Sequence, residues 1–154
     1  MLRDLQSFIV NVNGMNKAAK DIKRGTFVNK VEGTRTFDLP TDVGDLYVLD
    51  KDIEVTKSIA MGEEFSDYDE EQEIVKSGEF GQLIKLQRGV RKATSEYSGA
   101  DADVAADKYL TVSVATDDTQ GKLIPSPENA KTNIKSLGYY MDAGTHKLLA
   151  FEII

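Results

Sequence analysis

Residues 109–115 read Tyr109-Leu110-Thr111-Val112-Ser113-Val114-Ala115, and this stretch decides the fold class. Leu110, Val112 and Val114 occupy alternate positions, with Thr111 and Ser113 between them. A period of two places the apolar side chains on one face of a strand and the hydroxyls on the other. The stretch therefore predicts a β-strand that buries one face.

Similar short runs, separated by turn residues, recur along the chain. Lys122-Leu123-Ile124 predicts a short strand that Pro125 and Pro127 end or place at a sheet edge. Asp142-Ala143-Gly144-Thr145 predicts the turn of a closing hairpin. The other predicted strands cover residues 8–13, 25–31, 45–49, 53–59, 81–86, 134–140 and 147–154. This spacing is typical of an all-β fold, here a small β-barrel or β-sandwich with few short helical turns, such as one at 101–108.

The first residues fit two interpretations. Leu5 and Phe8 recur at roughly helical spacing with their apolar neighbours, yet Phe8, Val10 and Val12 also alternate as in a strand. We interpret residues 1–24 as an N-terminal arm or a first strand, and residues 25–154 as a single β-rich domain. Leu5 and Phe8 are candidate partner-binding residues, because a terminal arm can become ordered on a partner.

Composition narrows the classes of partner. The net charge is −7 and the pI about 4.8, so nucleic acid and anionic membrane surfaces are not expected partners. Cysteine is absent, and no apolar run approaches the ~20 residues that a membrane-spanning helix requires. The beginning of the chain lacks the pattern of a signal peptide, so we expect synthesis in a cytoplasm.

The most unusual segment is Glu63-Glu64-Phe65-Ser66-Asp67-Tyr68-Asp69-Glu70-Glu71-Gln72-Glu73, with seven carboxylates in eleven residues. Clustered oxygens could bind calcium, but the spacing of an EF-hand loop is missing. A solvated loop is the prediction we prefer. A third interpretation is that Phe65 and Tyr68 anchor the segment on a partner, while its carboxylates meet a basic patch. No metal or cofactor is expected.

No catalytic set emerges from the motifs. His146 is the only histidine and lies in a sequence typical of an exposed turn. Neither a Gly-x-Ser-x-Gly elbow nor a phosphate-binding Gly-rich loop is present, and with 26 acidic residues, pairs of carboxylates carry no information. We therefore expect that the protein is not an enzyme. The basic residues in 85–92 are interpreted as a charged strand edge that discourages aggregation.

The second half carries an ordered series of elements. These are Ser77-Gly78-Glu79-Phe80-Gly81-Gln82-Leu83-Ile84-Lys85-Leu86, Gly89-Val90-Arg91-Lys92-Ala93-Thr94-Ser95-Glu96-Tyr97, Asp107-Lys108-Tyr109-Leu110-Thr111-Val112, Gly121-Lys122-Leu123-Ile124 and Lys147-Leu148-Leu149-Ala150-Phe151-Glu152-Ile153-Ile154. Over residues 77–154 the chain resembles the small head proteins of tailed bacteriophages that decorate or cement the capsid. Ala106-Asp107 stands where such proteins often have Gly-Asp, so the chain departs from their pattern at that turn.

The resemblance implies a virion structural protein on the outer surface of the capsid. The partners that the resemblance implies are the major capsid protein and further copies of the chain itself, as a dimer or trimer. The alternatives are another phage structural component, such as a tail or head-completion protein, and a small ligand-binding β-barrel. If residues 1–20 form an arm outside the barrel, deleting them should weaken capsid attachment more than it lowers stability.

Overall fold

A computed structural model describes residues 1–6, 12–51, 73–142 and 146–154 of the chain. Its strands are β1 (Leu2–Gln6), β2 (Val12–Ala18), β3 (Ile22–Lys23), β4 (Phe27–Val31), β5 (Thr36–Asp38), β6 (Leu46–Asp50), β7 (Ile74–Val75), β8 (Phe80–Lys85), β9 (Arg91–Thr94), β10 (Tyr109–Val112), β11 (Leu123–Pro125), β12 (Ile134–Asp142) and β13 (His146–Ile153). A short 3-10 turn spans Pro127–Asn129. The prediction of an all-β fold is confirmed.

Two main sheets contain most of these strands. The larger has six antiparallel strands in the order β1-β9-β13-β12-β10-β11. The other is a closed five-stranded barrel, β2-β5-β4-β6-β8, in which only the β2–β5 pairing is parallel. β3 and β7 form a separate two-stranded ribbon. Closing the smaller sheet removes its edges, which are otherwise sites of aggregation.

Alternation along the barrel strands divides the hydrophobic residues between two cores. In β4, Phe27 packs with residues of the six-stranded sheet, while its neighbour Val28 packs with Phe37, Leu49 and others inside the barrel. β6 and β8 divide their side chains in the same way. Each of these strands therefore has one face in the barrel interior and one against the larger sheet.

The core between the barrel and the sheet is continuous. It combines Phe27, Val48 and Ile84 from the barrel with Leu110 and Phe151 from the sheet, all at most 4% exposed. The rings of Phe27 and Phe151 approach to 5.7 Å between centroids at an angle of 50°, a tilted geometry that favours aromatic pairs. The barrel and the sheet are therefore held together as one packed unit.

Most predicted strands have an observed counterpart, with shifted ends. The strand at 109–115 ends at Val112, and Val114 is exposed, because the chain turns back and Gly121 N–H donates to the Ser113 carbonyl. The closing hairpin is β12–β13, paired from Ile134 with Ile153 to Asp142 with His146. The predicted strand 53–59 lies outside the described residues, as do 8–11 of the strand predicted at 8–13.

Residues 1–6 include β1, which pairs with β9, and Met1 and Leu2 are buried, so of the two interpretations of the N-terminal residues the structure has a strand at this place. Two other expectations need correction. Residues 101–107 form turns and bends instead of a helix, and the positive φ of 70° at Asp107 is incompatible with helix at that residue. The basic residues of 85–92 do not mark an edge, because β9 lies between β1 and β13 and Lys92 is only 1% exposed.

Candidate protein-binding groove

A groove on the barrel wall is lined by Gly14, Met15, Lys17, Thr34, Arg35 and Phe80, and has a volume of about 600 Å³. Alternation in β2 turns Met15 and Lys17 outward, whereas Asn16 and Ala18 are buried. Phe80 begins β8 and is the register partner of Lys17. The Thr34–Arg35 turn before β5 supplies the remaining wall. We call these six residues the β2 groove.

Two large apolar side chains of the β2 groove are exposed. Met15 is 71% and Phe80 62% exposed, the highest values among large hydrophobic residues of the described segments. A single exposed apolar residue is ordinary, but two of them lining one cavity form a surface on which a partner can bury apolar area. Methionine adapts its shape to a partner, and phenylalanine offers a large rigid ring.

The charges in the β2 groove are both positive. The ammonium of Lys17 lies 5.1 Å from the centroid of the Phe80 ring, within the range of a cation–π contact. Arg35 has a left-handed backbone, with φ 52°, and its carbonyl accepts a hydrogen bond of 3.0 Å from Lys17 N–H. This hydrogen bond holds the Arg35 turn beside β2.

Neighbouring cations of the barrel are already paired. Lys20 lies 3.1 Å from Asp38, and Lys30 lies 2.7 Å from Glu32. Neither Lys17 nor Arg35 forms an ion pair with a carboxylate of the residues that the structure describes. The β2 groove therefore presents positive charge that a ligand or partner can neutralise.

The predicted contact residues fall elsewhere. Leu5 lies on β1, is 37% exposed and does not line the β2 groove. Phe8, Phe65 and Tyr68 lie outside the described residues. Sequence reasoning missed Met15 and Phe80, since an apolar residue in an alternating strand is normally assigned to the core. The only sequence indication was Lys17, two residues after Met15 and therefore on the same face of β2.

The end of the acidic run leads into a buried junction. Glu73 is 1% exposed, so the prediction of a solvated loop is wrong for this residue. Its carboxylate lies 2.8 Å from the Met1 ammonium, which also donates to Ser95 Oγ at 2.6 Å. Burial lowers the pKa of this ammonium, and the hydrogen bond to Glu73 opposes the shift. The junction connects β1, β7 and β9, which belong to two different sheets.

A surface cluster with shifted pKa values serves as a tether. Asp101 accepts a hydrogen bond from the Tyr139 hydroxyl and lies 3.1 Å from the Lys147 ammonium. These two contacts lower the pKa of Asp101, and burial together with the same hydrogen bond raises the pKa of Tyr139. The cluster fastens the 98–107 loop onto the β12–β13 hairpin, and nothing in it resembles an activated nucleophile.

A smaller polar hollow of about 350 Å³ lies beside the 3-10 turn and is lined by Asp103, Lys108, Tyr109, Pro125, Ser126, Pro127, Glu128 and Asn129. Glu128 and Asn129 have positive φ values of 51° and 54°. The Asn129 side chain accepts the Tyr109 N–H at 2.8 Å, and this hydrogen bond gives the unusual turn a structural reason. The unusual backbone of this hollow is therefore explained by the fold and does not indicate a bound ligand.

No trio of potential metal-ligating side chains occurs in the described ranges. His146 begins β13, opposite Asp142, and its side chain is not among those described. Among the same ranges, no helix has the length and apolar character needed to cross a membrane. The β2 groove is therefore the candidate functional site of this protein.

Comparison with known proteins gives no relative. No protein-family model, no curated protein and no solved structure matches the chain.

Proposed function

We propose that this protein is a bacteriophage virion structural protein, not an enzyme, that binds the outer surface of the capsid and stabilises it. The observation that supports this proposal is the exposure of Met15 and Phe80 within one groove of the barrel wall. The resemblance of residues 77–154 to phage head proteins supplies the partner, the major capsid protein.

The position of the β2 groove suits a docking protein. Val48 and Ile84 of β6 and β8 pack in the core shared with the six-stranded sheet, so those outer faces of the barrel are covered. β2 and the turn before β5 carry the exposed groove residues on a wall that remains accessible. A preformed groove on regular strands binds without paying much ordering entropy.

A ligand-binding barrel is supported less well. The barrel interior holds Val28, Phe37, Leu49 and Leu83, each 0% exposed. Side chains therefore fill the space that a small ligand would need, as is usual in small barrels.

Modest affinity at each site is sufficient for the proposed role. A protein that binds the assembled shell and not its free subunits stabilises the shell by its binding free energy. Because a capsid repeats each site many times, weak contacts sum to a large effect. Heads that carry the protein should therefore retain their genome at higher temperature than heads without it.

Co-sedimentation with empty heads assembled from a phage major capsid protein tests the proposal. Wild type should sediment with the heads, and Met15→Asp or Phe80→Asp should reduce the bound fraction at least about tenfold. Val43→Asp is the matched control, since Val43 is 57% exposed and does not line the β2 groove. Wild type that stays in the supernatant at high micromolar concentration would remove the capsid proposal.

A further inference from the structure

The net charge of the chain is concentrated in one segment. Of the 26 acidic and 19 basic residues, 8 acidic residues and 1 basic residue lie in residues 52–72. The rest of the chain therefore has 18 of each and is neutral, so the whole net charge of −7 comes from these 21 residues. Within them, Phe65 and Tyr68 stand between the carboxylates.

The β2 groove has the complementary chemistry. Lys17 and Arg35 supply two positive charges that no described carboxylate neutralises, and Met15 and Phe80 supply apolar surface beside them. A segment in which carboxylates flank aromatic residues complements both the cations and the apolar surface. Its rings can bury apolar area while its carboxylates approach the cations.

We infer that the β2 groove is a self-association site, which receives the acidic segment at residues 63–71 of a second copy of this chain. Each copy carries one groove and one acidic segment, so the contact joins different surfaces of the two partners. Contacts of this head-to-tail type build rings when the rotation closes, and open chains when it does not.

The inference goes beyond the proposed function and does not depend on it. A copy whose groove is bound to a capsid still presents its acidic segment, which a second copy with a free groove can receive. Because the attraction involves exposed charges, it should weaken steeply between low and high salt. The capsid contact and the self-contact can nevertheless be measured separately.

Analytical ultracentrifugation of two complementary variants, without capsid, tests the inference. Arg35→Glu disables the groove, and a variant with Glu63, Glu64, Asp67, Asp69, Glu70 and Glu71 changed to the corresponding amides disables the segment. Each variant alone should be monomeric, and their mixture should form a one-to-one dimer, since one intact groove and one intact segment remain. Wild type should associate further, with a dissociation constant at least about tenfold below that of either variant.

Arg88→Glu is the matched control for charge, because Arg88 is exposed, and its reversal changes the net charge equally without touching the β2 groove. It should associate as wild type does. A mixture that stays monomeric to millimolar concentration at low salt would overturn the inference, and so would a wild type that is monomeric because its segment occupies its own groove.

Head binding separates this inference from the proposed function. If the protein self-associates through the β2 groove but ignores capsids, the proposed function fails and the inference stands. If it binds heads through the groove as a strict monomer, the inference fails and the proposed function stands.

Discussion

At the scale of single residues, one buried ion pair balances charge in the interior of the protein. Glu73 and the Met1 ammonium are both nearly excluded from water, with side-chain exposures of 2% and 4%. Removing one partner of such a pair leaves the other charge buried without compensation, which costs far more than loss of a surface ion pair. Arg24 is a weaker partner of Glu73, because its guanidinium lies 3.9 Å from the Glu73 carboxylate.

Glu73→Gln should therefore lower the free energy of unfolding by about 3 kcal/mol, because the Met1 ammonium loses its charged partner. Urea denaturation at pH 7 measures the change. Glu32→Gln is the control, since Glu32 is 77% exposed and forms a surface ion pair with Lys30, and it should leave the stability unchanged within error. Similar stabilities for the two variants would contradict the role assigned to Glu73.

At the scale of secondary-structure elements, the contacts between turns and neighbouring strands require the backbones to approach closely. Gly121 has φ +81°, and its carbonyl accepts the Phe27 N–H of β4 at 2.9 Å. The turn before β11 is thereby fastened to the barrel. A Cβ at this position would stand 2.6 Å from Thr26 Cγ2 and 2.8 Å from the Phe27 carbonyl oxygen. Neither neighbour can move away easily, because Phe27 belongs to the packed strand β4 and Thr26 directly precedes it.

Gly121→Ala should destabilise the protein by about 3 kcal/mol, the sum of left-handed strain and overpacking. Gly78→Ala separates the two causes. Gly78 has nearly the same φ, +83°, but a Cβ there would meet nothing within 4 Å. It should cost only about 1 kcal/mol, from strain alone. Equal losses in urea denaturation would show that the clash with β4 is relieved at little cost.

On the scale of the whole molecule, the barrel and the six-stranded sheet share one core and one buried ionic junction. If the six-stranded sheet separated from the barrel, the side chains of Phe27, Val48 and Ile84 would lose the core that buries them. An isolated barrel would expose these side chains, and exposing each costs roughly 1.5–3 kcal/mol. The two parts are therefore expected to unfold together.

Equilibrium unfolding should accordingly be a single cooperative transition. In a urea series followed by heteronuclear NMR, Leu83 of the barrel interior and Leu149 of the sheet should lose their native peaks at one midpoint. Calorimetric and van't Hoff enthalpies should agree. Two midpoints would mean that the shared core does not couple the parts. Removing residues 1–6 should shift the common midpoint downward, because it deletes a sheet strand together with the buried Met1 and Leu2.

The all-β class followed from the sequence alone, because a period of two in 109–112 and a turn between two apolar runs at 134–153 are local properties of the chain. The acidic segment and its aromatic residues were also visible there. Tertiary structure decided which face of each strand is buried. Met15 is exposed because the barrel interior lies on the other side of β2, and no local pattern states where that interior is. Closure of the barrel, the burial of Glu73 and Lys92, and the convergence of Lys17, Arg35 and Phe80 depend on contacts between residues far apart in the chain. The energy of such contacts appears only once the chain has folded.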